Sequence, residues 1–142
     1  MLNNLKDVHD LAWELIKKHK LDDKIKKVTF SHKMQTAFGW FCPEDNEIRF
    51  LAKECVANLD NRPFIINLIL HEIAHAIEYY TYGIRRNGKK RNYHSHSKNF
   101  KEIAVKINCD DKMCLEENFR VKSASRNLSK HDVERSLSGE II

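Results

Sequence analysis

From Pro63 to Tyr82 the chain is apolar on nearly every side of a helical projection, yet His71, Glu72, His75 and Glu78 stand inside that run. A helix hydrophobic all round belongs in a core, so the stretch predicts a buried helix around which the rest must pack. Asp60 and Asn61 are N-cap candidates, Pro63 suits a first turn, and Gly83 supplies a stop. A membrane span is disfavoured because the two His and two Glu interrupt the run before about 20 apolar residues accumulate. Unpartnered polar groups in a core cost about 2–7 kcal/mol each. The helix therefore needs a partner for its two imidazoles and the carboxyl between them.

Residues 71–75 read His-Glu-Ile-Ala-His, the HExxH pattern. Positions i and i+4 share a helix face, so His71 and His75 can offer two nitrogens to one metal ion. Glu72 lies about 100° further round, within reach of a proton on water activated by that metal. Zinc brings such water to a pKa of about 7 and needs at least one more protein ligand. The longer pattern HExxHxxGxxH is ruled out, since Glu78 and Thr81 stand where it requires Gly and His. His94 and His96 follow in the next segment. Phe100, Ile103, Ala104 and Ile107 mark an apolar stripe of a second helix starting at Phe100, and His96 projects back onto that stripe while His94 falls off it. His96 is the favoured third ligand, with His94 facing solvent or supporting the metal ligands. Glu102 projects off the stripe and is the weaker carboxylate alternative.

These residues resemble the SprT-like family of zinc metalloproteases, whose HExxH is followed, after a variable loop, by a helix opening on His-Gly-x-x-Phe/Trp. Here the second element reads His96-Ser97-Lys98-Asn99-Phe100, with Ser97 in place of Gly. Val28–Ser31, Ala37–Trp40 and Glu47–Leu51 look like the family's short strands, and the likeness covers residues 5–108. It implies a zinc-dependent endopeptidase, with one Zn2+, acting on DNA-associated proteins such as those crosslinked to DNA. Many members carry a C-terminal zinc ribbon with paired Cys-x-x-Cys, and this chain has no such pair.

The expected architecture is a single α+β, zincin-like domain over residues 1–115. It comprises an amphipathic helix at 4–19, strands at 27–31, 37–42 and 47–51 forming a small three-stranded sheet, a short helix at 51–57, the HExxH helix and the second metal-ligand helix. Pro43-Glu44-Asp45-Asn46 supplies the hairpin turn. By analogy with zincin-type folds, either 37–42 or 47–51 borders the cleft and takes extended substrate by strand addition. Residues 116–142 read as a basic, polar extension, in which Ser129–Asp132 has a capping-box form and a short helix to Leu137 is expected. At 142 residues there is no room for a second full domain. The N-terminal helix interleaves Asp7, Asp10 and Glu14 with its apolar positions, unlike a signal or transit peptide, so an intracellular, cytoplasmic setting without membrane partners is expected. Cys42, Cys55, Cys109 and Cys114 are then expected as reduced thiols, with Cys109-x4-Cys114 the alternative half of a second metal site.

Between Thr81 and Ile107 eight Lys or Arg stand against the single acid Glu102, more than the whole chain's net +5, so the remainder is net acidic. Arg85, Arg86, Lys89, Lys90 and Arg91 crowd into a flexible loop beside Gly83 and Gly88. That loop suits phosphate backbone contact as well as it suits a solvated surface kept soluble by charge. Glu78 and Tyr82 project toward the His71/His75 face, as partners supporting the ligands, as donors to the transition state, or as packing alone. Three functions compete on this sequence: the zinc endopeptidase, with a protein substrate; a non-catalytic zinc-stabilised DNA-binding or adaptor module; and a metal-dependent hydrolase of a non-protein amide.

Overall fold

The computed structural model describes residues 1–33, 38–83 and 97–110, and the backbone of 85–86 and 89–90. Helix α1 spans Leu5–Lys18, and Asn4 caps it by accepting the Asp7 amide at 3.0 Å. Its Leu5, Val8, Leu11, Ala12 and Ile16 are buried at the helical period, and Lys20 takes the left-handed turn (φ 60°) that ends the segment. Strands β1 (Lys27–Ser31), β2 (Gly39–Cys42) and β3 (Glu47–Leu51) then form one sheet. β2 and β3 are the expected hairpin, turning at Asn46 in the left-handed region (φ 51°). β1 pairs parallel with β3, in register Thr29 to Arg49, so the order is β1-β3-β2 and β3 lies in the centre. The α+β class and the three-stranded sheet stand as the sequence predicts.

Alternation divides the sheet. Val28, Phe41, Ile48 and Phe50 turn into the core, while Thr29, Arg49 and Trp40 share the other face. After the short helix α2 (Ala52–Ala57), helix α3 runs Arg62–Tyr82 beneath the core face. Asn61 caps α3 by accepting the Phe64 amide at 3.3 Å, and Gly83 closes it with φ 76° and a hydrogen bond donated by its amide to the Tyr79 carbonyl at 2.7 Å. Aromatic contacts tie α3 to the strands: Phe38 to Phe64 at 5.7 Å, and Phe41 to Tyr79 and Tyr80 at 5.6 and 5.8 Å. The Tyr80 hydroxyl donates to Asn46 Oδ1 at 2.7 Å, which anchors the hairpin turn to the helix. Among the described residues no helix is long and apolar enough to cross a membrane.

The basic stretch differs from a simple loop. Arg85–Arg86 (β4) and Lys89–Lys90 (β5) pair antiparallel as a two-residue ladder. Helix α4 spans Lys98–Lys106, beginning two residues before Phe100 because Ser97 caps it. Cys42 and Cys55 are free, as expected, but Cys109 is disulfide-bonded and its partner lies outside the described residues. The expectation of a reduced thiol there rested on compartment, which does not register the sharp turn at Asn108 (φ 62°) that sets Cys109 against the Asn67 carbonyl at 3.6 Å. The expected helix near Ser129–Leu137, and the extension 116–142 as a whole, lie outside the described residues.

Candidate active site

His71, Glu72 and His75 lie midway along α3 and are buried to 4%, 4% and 3% exposure. The two imidazole centroids are 4.9 Å apart, as the i, i+4 spacing on one helical face requires. Phe100 of α4, itself fully buried, lies 4.3 Å from the His75 ring and 5.1 Å from the His71 ring. The apolar stripe of α4 therefore packs on the HExxH helix through Phe100. Glu102 is exposed, which removes it as a ligand.

Glu72 is held across the helix–sheet boundary. The Phe41 amide of β2 donates to its carboxyl, and Gly39 leaves space beside it: a Cβ added at Gly39 would sit 2.9 Å from Glu72 Oε2. Burial pushes the Glu72 carboxyl up to about 8, and the Phe41 bond only partly opposes this. A nearby positive charge is what returns such a group to its ionised form. Two buried nitrogens on one face, beside a carboxyl whose environment calls for a cation, fit a zinc ion with His71 and His75 as ligands. Among the described residues no group of three His, Cys, Asp or Glu side chains converges to hold a metal. His94 and His96, the candidates for the remaining position, lie outside the described residues, as does Arg91.

The helical projection that favours His96 runs back through Ser97, and His96 itself lies outside the described residues. The chain leaves helical conformation at Ser97 (φ −69°, ψ 173°), whose hydroxyl accepts the Phe100 amide at 3.2 Å. That hydroxyl also donates to Glu78, which is fully buried on α3. Ser97 thus starts α4 and fastens it to the metal-candidate helix, a role that glycine, with no hydroxyl, cannot perform. Of the other residues singled out, Tyr82 is 47% exposed at the end of α3. The side chains of Arg85, Arg86, Lys89 and Lys90 lie outside the described residues.

Between the two strands that could border a cleft, β3 is central and β2 stands at an edge of the sheet among the described residues. Gly39 and Phe41 were absent from the sequence reading of the site. The only signal for them was a glycine inside a strand, which often marks a close approach by another group.

A buried helix carrying His71, Glu72 and His75 thus lies beneath the edge strand of a small sheet and is backed by a short second helix. The chain belongs to the SprT-like family, whose model it matches over residues 5–123. No curated protein and no solved structure matches it.

Proposed function

We propose that this chain is a zinc-dependent endopeptidase acting on DNA-associated proteins, including proteins crosslinked to DNA. The observation that carries the reading is Glu72, buried next to the His71/His75 pair and aimed by the Phe41 amide and the Gly39 gap. His71 and His75 hold the ion, with His96 as third ligand, and zinc when bound supplies Lewis-acid polarisation and acidified water. Glu72 takes the proton from the attacking water and delivers it to the leaving amine. Substrate main chain runs along the free edge of β2, which accommodates extended peptide without strict sequence demand. Phe100 keeps bulk water from the imidazoles, and the Ser97–Glu78 bond fixes α4 behind them. The choice of DNA-associated substrates rests on the family resemblance and on the basic stretch at Arg85, Arg86, Lys89, Lys90 and Arg91.

The test is metal content and proteolysis in parallel. His71→Ala, His75→Ala and His96→Ala each lose zinc and cleavage of a DNA-bound protein, while His94→Ala keeps both. Loss of zinc in His94→Ala as well as His96→Ala, without proteolysis in the parent, closes the site with four ligands and makes the chain an adaptor instead.

A second expectation concerns Gly39. In Gly39→Ala the new methyl displaces the flexible end of Glu72, a shift that is cheap for folding and expensive for proton transfer. The turnover number falls by roughly a hundredfold with little change in melting temperature, since misplacing a reacting group by about 1 Å costs that much. Steady-state kinetics beside thermal denaturation separates the two effects. An unchanged kcat means that Glu72 does not depend on that gap.

A further inference from the structure

The face of the sheet turned away from α3 holds a second candidate site. A cavity of about 530 Å³ opens there, lined by Thr29, Phe30, Ser31, His32, Lys33, Glu47, Arg49 and Lys53. Three cationic side chains, Lys33, Arg49 and Lys53, meet one carboxyl. That carboxyl is already engaged: Thr29 donates to Glu47, and Arg49 Nη2 donates to it at 3.0 Å. Burial works to raise Glu47, but these bonds outweigh it and hold the group below the usual carboxylate range. One guanidinium nitrogen is spent on this pair, which leaves further Arg49 donors and both lysines. His32 Nδ1 is buried in the same wall with no hydrogen-bond partner among the described residues.

An exposed aromatic ring neighbours the cavity through the strand register. Trp40 stands opposite Arg49 in the β2–β3 register, and Arg49 stands opposite Thr29 in the β3–β1 register, so the three form one row on this face. Trp40 is 43% exposed. An exposed indole beside a cationic hollow combines the two features that hold a single strand: a stacking platform for a base and donors for its phosphates. Neither feature belongs to the catalytic arrangement, because the Cβ position of the neighbouring Gly39 faces Glu72 from the other side of the strand.

We propose that this face binds single-stranded nucleic acid, with phosphate in the Lys33–Arg49–Lys53 cavity and a base stacked on Trp40. The site is distinct from the basic stretch at 85–91 and does not depend on the peptidase reading.

The test reads binding without turnover, by fluorescence anisotropy of a labelled oligothymidylate with the full chain across a salt series. Lys33→Ala/Lys53→Ala weakens binding about tenfold and flattens the slope of log K against log salt by about 1.4, the loss of two phosphate contacts on a single strand. Trp40→Ala weakens it about tenfold with the slope unchanged. Inorganic phosphate displaces the oligonucleotide beyond what chloride of equal ionic strength achieves. The lysine variant cleaves a DNA-free disordered substrate as the parent does, so failure here is distinguishable from failure of the active site. Parental affinity in both variants overturns the proposal. So does a phosphoserine peptide that binds as tightly as the oligonucleotide and ignores Trp40→Ala, or saturable binding of inorganic phosphate with no oligonucleotide binding.

Discussion

Glu72→Gln keeps its zinc and loses proteolysis by roughly 10²–10⁴-fold, the usual range for removing a general base. Glutamine preserves the shape of the side chain, so the gap at Gly39 stays filled and the Phe41 amide still finds a carbonyl oxygen. What disappears is the ability to accept a proton. The same substitution removes an ionisable group that burial has raised to about 8, so the folded protein is as stable as the parent or more so. Opposite movements of kcat and melting temperature identify a residue kept for chemistry at the expense of stability. Full proteolysis in the variant ends the mechanism.

The largest loss of stability is expected from Phe100→Ala. The ring is fully buried and is the contact between α4 and both imidazoles. Deleting it costs about 3–5 kcal/mol in transfer and cavity terms, a large share of the 5–15 kcal/mol that typically holds a domain folded. Chemical denaturation gives a lower midpoint at unchanged m-value, with a fall in melting temperature of roughly 10–20 °C. Zinc retention weakens with it, because α4 is the element that leads back to His96. A cost below about 1 kcal/mol means that the α3–α4 contact is not what supports the site.

Much of this architecture was readable from periodicity. The α1 stripe, the Pro43–Asn46 turn and the apolar run around His71 and His75 each specify an element through neighbours close in sequence, and those elements appear within two residues of expectation. The sheet order was not readable. A hairpin pattern fixes β2 against β3, whereas the parallel pairing of β1 with β3 is decided by how the whole sheet covers α3. For the same reason the approach of Gly39 to Glu72 has no local signature, being a contact between residues far apart in the chain. Ser97 shows a subtler limit. As a departure from a family pattern it reads as a weakening, while the structure makes it both the cap of α4 and the partner of Glu78. The projection of His96 runs back through that cap, where a helical wheel no longer describes the backbone, and His96 itself lies outside the described residues.

The Phe41–Glu72 bond links the Glu72 carboxyl to main chain that belongs to a different layer of the molecule. On the proposed mechanism, local opening of the hairpin stops catalysis while α3 is still helical. Warming should silence turnover before far-ultraviolet ellipticity declines, and a peptide docked along the strand should delay that silence by holding the layers together.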